Sequence, residues 1–379
     1  MKIEIILWNV KLMSVDIGII GLPQSGRTTI FNALTKGEAD TACHAPEGLA
    51  PHIGIAKVPE PRLKVLADML HPKKVVPTEV RYLDIGASVK DLVGDKGISG
   101  QLLNQLSSVD ALIDVVRAFT NESVPHIEGS LDVERDIATM ELELSFSDLA
   151  LMERRLGKID ESLKGAKQPE RQGLLREQEL LMKIKASLEK DVPIRELKLT
   201  ADEAKAISGY QFLTAKPLLI SVNIGEDQLP QTASIEEKLK AHSRPKCGVI
   251  SLCGELEMEL AQLDESAAES FRAEFGITDS GLDRTIKLSY QLLGLISFFT
   301  TASDELKVWP VRNGTSAVRA AGKIHTDMEK GFIRAEVISY HDMMKCHNHA
   351  EARKKGLLRL EGRDYTVQDG DIITFLFNV

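Results

Sequence analysis

The chain has 379 residues and a formal charge of −9. That length can bury a sizeable core and predicts two or three domains. The acidic balance excludes a general attraction to nucleic acid, so an RNA contact would need a local basic patch, and no DNA partner is expected. Cys43, Cys247, Cys253 and Cys346 lie far apart with no CxxC pair, which favours reduced thiols over a disulfide framework or a zinc site. No run approaches the ~20 apolar residues of a membrane span. The opening MKIEIILWNV is interrupted by Glu4 and Asn9, which argues against a signal peptide and for a cytoplasmic protein with no membrane partner.

The first clear element is SVDIGIIGLP, Ser14 to Pro23, which alternates like a buried strand and ends at a glycine turn; TTIFNALT then takes helical spacing. Residues 1–12 read either as an extension, as from an upstream start codon, or as one more strand. Further short, β-branched segments follow: EVRYLDIG (79–86), VDALIDVVRAF (109–119), AKPLLISVNIG (215–225) and CGVISLCG (247–254). Separated by helix-like stretches, they predict a mostly parallel α/β sheet. Between the second and third, Leu149, Met152, Leu156, Ile159 and Leu163 step by three and four, and Leu174, Leu181, Ile184 and Leu188 do so beyond a Gly165/Pro169 break. This predicts an antiparallel helical hairpin inserted into the α/β domain, with a pair of solvated helices lying on the sheet as the alternative. After Ser297, GFIRAEVISY and DYTVQDGDIITFLFNV alternate as strands around a tight turn and predict a small α+β domain.

GLPQSGRTTIFNAL carries Gly21, Gly26, Arg27 and Thr28 in the pattern G-x-x-x-x-G-[K]-[ST], set between strand and helix as a phosphate loop requires. The glycines let backbone N–H groups face a β-phosphate, the helix adds its positive end, and Thr28 supplies the hydroxyl expected on Mg²⁺. The loop residues Gln24, Ser25, Gly26, Arg27, Thr28 and Thr29 are therefore the expected phosphate cradle. Arg27 replaces the usual lysine: charge is kept, but a planar, longer guanidinium suits a tight loop less well, so weaker nucleotide binding and slow hydrolysis are expected.

Together with NIGED (223–227), LEMELAQL (256–263), GLDRTIKLSYQLLGLISFFTTASDELKVW and AAGKIHTDMEKGFIRAEVISY, this loop resembles the Obg-like ATPase family, YchF type, from Ser14 to Val379. The resemblance implies a P-loop NTPase domain in two pieces (14–127 and 211–296) after an extension at 1–13, a coiled-coil arm at 128–210 and a β-grasp TGS domain at 297–379. It also implies a cytoplasmic, translation-associated NTPase that uses ATP or GTP with Mg²⁺. The partner implied is the ribosome, as large subunit or whole particle, with rRNA contact through the arm and the TGS domain.

Guanine-reading N-K-x-D corresponds here to Asn223, Ile224, Gly225 and Glu226. Losing the aspartate removes a bidentate charged contact, so ATP is expected over GTP. Asn223 can still bond a purine edge or, read structurally, close a turn; Ile224 and the backbone near Cys253 and Gly254 are expected to border the base. In LDIGASV the retained Asp84 is expected to hold Mg²⁺ through water. Ala87 stands at the switch-glycine position and Ser88 where relatives have a hydrophobic residue, and the switch threonine is missing around Glu47, Gly48 and Leu49. No catalytic residue is identified.

Two remaining clusters carry less. Cys346, His347 and His349 in KCHNHAE do not match a common zinc spacing, and His325 reads as a packed or turn-forming residue. The basic run ARKKGLLRLEGR (352–363) reads as a candidate rRNA face or as a solvated surface.

Overall fold

The computed structural model describes residues 15–36, 39–40, 52–85, 100–274, 277, 280–302 and 304–378. The extension at 1–13, the switch-threonine positions Glu47, Gly48 and Leu49, and the Ala87 and Ser88 positions lie outside them. The chain forms two units, one of residues 16–56 and 81–292, the other of residues 57–80 and 293–378.

The larger unit begins with β1 (Val15–Ile20), α1 (Arg27–Leu34), β2 (Ala39–Asp40) and β3 (His52–Lys57). Two elements of the smaller unit, α2 (Pro61–Leu70) and β4 (Lys74–Val76), come next. The larger unit resumes with β5 (Glu79–Asp84), α3 (Gly100–Ser108), β6 (Ala111–Arg117), α4 (Val133–Leu163) and α5 (Glu170–Leu188). It is completed by α6 (Ala201–Ile207), β7 (Leu218–Asn223), α7 (Thr232–Lys238), β8 (Cys247–Leu252), α8 (Gly254–Leu260), α9 (Glu265–Glu274) and α10 (Gly281–Leu292).

Its sheet has the order β2-β3-β5-β1-β6-β7-β8. Strands β1, β6, β7 and β8 run parallel, with Ile17 opposite Ala111, Leu112 opposite Leu218, and Leu218 opposite Cys247. Every residue of β6 and β7 is buried, as central parallel strands covered on both faces must be. From β1 the chain builds first toward β5 and β3 and then toward β6, β7 and β8, so the loops after β1, β5, β6, β7 and β8 open at one end of the sheet, around the point where strand order reverses.

Helix α4 starts where Asp132 accepts from the Arg135 N–H at 3.1 Å, an N-cap followed by Glu134 and Asp136 in the first turn. Its first half gives Ile137, Met140 and Leu144 to the core beside the sheet. Its second half pairs with α5, antiparallel: Arg155 meets Glu177, Asp160 meets Gln178 and Glu153 meets Lys185. Met152, Ile159, Leu181, Ile184 and Leu188 form the buried seam, flanked by Leu149, Leu156, Leu163 and Leu174. The inserted helical hairpin is thus present, with the apolar stripe that the sequence spacing predicts.

The smaller unit adds β9 (Leu295–Ala302), β10 (Glu305–Arg312), α11 (Ala317–Ile324), α12 (Thr326–Lys330), β11 (Phe332–Ser339), α13 (Tyr340–Cys346), α14 (His349–Lys354), β12 (Arg359–Glu361) and β13 (Asp371–Phe377). Its sheet runs β12-β11-β13-β9-β10-β4. Neighbouring residues of β9 point to opposite faces: Phe298 joins Ala317, Ala320 and Ala321 of α11, whereas Phe299 joins Leu63 and Leu66 of α2 and Met343 of α13. Residues 57–80, which the sequence reading counts in the first piece of the P-loop domain, therefore supply one cover of this second sheet.

Candidate functional site

The turn from β1 into α1 is built around Gly26. Its φ of 85° is left-handed, a region that costs other residues roughly 1–2 kcal/mol. A Cβ there would also run into Nδ2 of Asn223. Gly26 is the N-cap of α1 and gives it no side-chain cap, so first-turn N–H groups remain for an anion. Ser25 N–H donates to the Leu22 carbonyl at 3.2 Å, which tightens the loop. Gln24 also takes a positive φ, 65°, and its side chain is exposed, as is that of Thr28.

Asp84 ends β5 and is 5% exposed. Both its oxygens are engaged by the loop: Arg27 Nε donates to Oδ1 at 2.6 Å and Thr28 Oγ1 to Oδ2 at 2.9 Å. His52 Nδ1 stands 4.0 Å from Oδ2. The hydroxyl and carboxylate are hard oxygen donors side by side, the chemistry a Mg²⁺ ion takes up together with phosphates and water. Arg27 is on the carboxylate, within the same cluster.

Asn223, the last residue of β7, is 4% exposed. Its Nδ2 donates to the Ser25 carbonyl at 3.0 Å and its Oδ1 accepts from Gly254 N–H at 2.9 Å. One amide thus fastens the phosphate loop to the start of α8, and keeps one N–H and one lone pair for another group. Gly254 is confined in turn, since a Cβ would lie 3.0 Å from Ile30 Cγ1 and 3.1 Å from Asn223 Oδ1. The structure brings Ser25, Gly26, Asn223 and Gly254 together, and Arg27, Thr28 and Asp84 together.

Two of the other residues named for the site, Ile224 and Cys253, have their side chains in the core. Ile224 is 1% exposed, its side chain in the core beside the sheet and its N–H given to the Leu252 carbonyl at 3.0 Å. Cys253 is buried in the same core, where burial pushes its thiol upward; it lines, with Leu229, Leu252 and Leu256, a cavity of about 580 Å³. Thr29 is half-buried on α1 and Glu226 is exposed.

Two residues that sequence reasoning passed over stand beside the loop. Arg117, at the end of β6, is 3% exposed, donates to the Val124 carbonyl at 2.7 Å and lies 4.5 Å from the Phe119 ring centre. Phe119 in turn lies 3.6 Å from the place of a Cβ on Gly26. Their only signal is position: VVRAF closes a strand at the same end of the sheet as the phosphate loop.

Away from this end, no cluster of three or more His, Cys, Asp or Glu suited to a metal occurs among the described residues. Cys346 is buried in the core of the smaller unit. No described helix is long and apolar enough to cross a membrane.

The family model YchF-GTPase_C, a "Protein of unknown function (DUF933)", matches residues 295–378. The "Ribosome-binding ATPase YchF" of Bacillus subtilis (strain 168) is 38% identical over 370 residues, covering 97% of this chain and 100% of that protein. The protein of the same name from Escherichia coli O157:H7 is 35% identical over 367 residues, again covering 97% and 100%. The solved "Structure of the Schizosaccharomyces pombe YchF GTPase" superposes with a TM-score of 0.83 at 30% identity, over 96% of this chain and 98% of that one.

Proposed function

The chain belongs to the YchF family, and from that premise we propose that it is a cytoplasmic, ribosome-binding P-loop NTPase that takes ATP in preference to GTP and hydrolyses it slowly with Mg²⁺. The observation that carries this reading is the joint held by Asn223, which ties the Ser25 carbonyl and the Gly254 N–H into one frame around the uncapped start of α1. The curated relatives are named ribosome-binding ATPases, which supports both the partner and the base.

In this reading the backbone of Gln24 to Thr29 receives the phosphates, helped by the α1 N-terminus. Thr28 and Asp84 hold Mg²⁺, whose chemistry when bound is to neutralise charge on the phosphate oxygens. Asn223 offers its remaining N–H and lone pair to the purine edge. Glu226, exposed beyond β7, supplies no buried carboxylate for guanine, which favours adenine. The arm at 128–210 and the TGS domain at 297–379 carry the ribosome contact.

A second reading is favoured by one observation: the Arg27–Asp84 ion pair at 2.6 Å occupies the carboxylate that the metal would use. On that basis the protein is a nucleotide-binding adaptor that reaches the ribosome without hydrolysing anything. A single-turnover assay with protein in excess over ATP, run beside ribosome co-sedimentation, separates the two. Phosphate release above background supports the enzyme; background release with intact co-sedimentation leaves the adaptor.

A further inference from the structure

Arg27 makes one contact that a phosphate-loop lysine is not expected to make. Its Nε donates to Asp84 Oδ1 at 2.6 Å, while Thr28 Oγ1 takes Oδ2 at 2.9 Å. Asp84 is 4% exposed in its side chain and Arg27 17%. A carboxylate so far from water needs a cation beside it, and a guanidinium is charged at every accessible pH.

The geometry leaves the rest of the guanidinium free to act. Among the described residues only Nε is committed, and neither Nη group has a hydrogen-bond acceptor. The side chain starts at the first residue of α1, next to first-turn N–H groups that no side chain caps and that suit an anion. A planar fork can hold a carboxylate with one donor and a phosphate oxygen with another. In ordinary P-loop sites that bridging task, between a carboxylate and the nucleotide phosphates, falls to the metal.

We propose that Arg27 is the built-in cation of this site: it neutralises Asp84 and bridges to the nucleotide phosphates, so that ATP binds without a divalent metal. The inference rests on the nucleotide-binding reading given above. It makes binding metal-independent and leaves hydrolysis, which still needs charge neutralised at the transferred phosphoryl group, as the step that Arg27 impedes by holding the metal's carboxylate.

The test compares the affinity of full-length protein for a fluorescent ATP analogue in Mg²⁺ and in EDTA, for the wild type and for Arg27→Lys. The wild type is expected to change by less than about threefold, and Arg27→Lys, whose compact ammonium leaves the carboxylate, to bind about tenfold more weakly in EDTA. A wild type that loses about tenfold or more in EDTA overturns the inference while leaving nucleotide binding intact. No binding by either protein in either buffer sinks the nucleotide reading and the inference with it. A second readout needs no variant of the loop: the ¹⁵Nε resonance of Arg27 should be shifted and slow to exchange in ATP with EDTA, and lost as a protected signal in Asp84→Asn. A freely exchanging Nε in the wild type refutes the ion pair itself, whatever the affinities.

Discussion

Asn223 donates its Nδ2 proton to the carbonyl of Ser25 at 3.0 Å, across 198 positions of sequence. The bond joins the end of a central strand to the loop of the first one, and the same amide receives the Gly254 N–H. Asn223→Ala leaves a buried carbonyl and a buried N–H without partners, each at a cost of about 1–3 kcal/mol. Urea unfolding should show the sum of the two, about 2–6 kcal/mol, and affinity for an ATP analogue should fall about tenfold as the loop loses its frame. Unchanged affinity would show that the frame is held by something else.

Gly26→Ala and Gly254→Ala separate backbone strain from crowding. At Gly26 an added methyl meets both a left-handed φ of 85° and the Asn223 amide, so nucleotide binding should drop by about a hundredfold. At Gly254 the backbone is not left-handed and the nearest atoms are at 3.0 and 3.1 Å, close enough to push Asn223 but not to block it. A smaller loss, about fivefold, is expected there. Equal losses in the two would mean that conformation at Gly26 plays no part.

The base of the arm predicts a pH dependence. Asp148 on α4 accepts from the N–H groups of Leu213 and Thr214 and from the Thr214 hydroxyl. Burial nevertheless outweighs these bonds and pushes its carboxyl up to about 6 from 3.8. A raised carboxyl pKa means that the folded state binds the proton more tightly than the unfolded one. The penalty is therefore complete above pH about 6 and is relieved as pH falls toward the unfolded value. Between pH 7 and pH 5 the wild type should gain about 1 kcal/mol relative to Asp148→Asn in denaturant titrations. A difference that stays flat with pH would place the carboxylate's proton outside this range.

Much of this was legible in the residues. Glycine spacing, the strand before it and the helix after it specify the phosphate loop, because only that backbone can turn its N–H groups inward. The seam of the arm followed from apolar residues at three and four, which leave one face of each helix to bury. What stayed hidden depends on contacts distant in sequence. Nothing around Arg27 says that its Nε meets a carboxylate 57 positions away. Ile224 and the backbone near Cys253 were expected at the base by their neighbours in the motif; the side chains of both residues, one position beyond the ends of β7 and β8, lie in the core. Arg117 and Phe119 carry no motif, and their place beside Gly26 is a consequence of strand order alone.

The basic run of the smaller unit gives the last prediction, because its charges are already engaged. Arg353 pairs with Glu336 and Lys354 with Glu351, both at 2.7 Å. Arg359 lies against Tyr365, and Arg363 donates to the Phe332 carbonyl at 3.3 Å. Exposed pairs of this kind contribute little to stability, about 0–1 kcal/mol, so breaking them should leave folding intact and change only what the cations are free to meet. If this face binds rRNA phosphates, Arg353→Ala and Lys354→Ala should each lower the salt dependence of ribosome co-sedimentation by about one unit of slope. Glu336→Gln and Glu351→Gln should strengthen co-sedimentation at low salt, since each releases a cation. Identical salt dependence in all four variants would assign the ribosome contact to the arm, where α4 and α5 present the exposed Phe146, Leu175 and Met182.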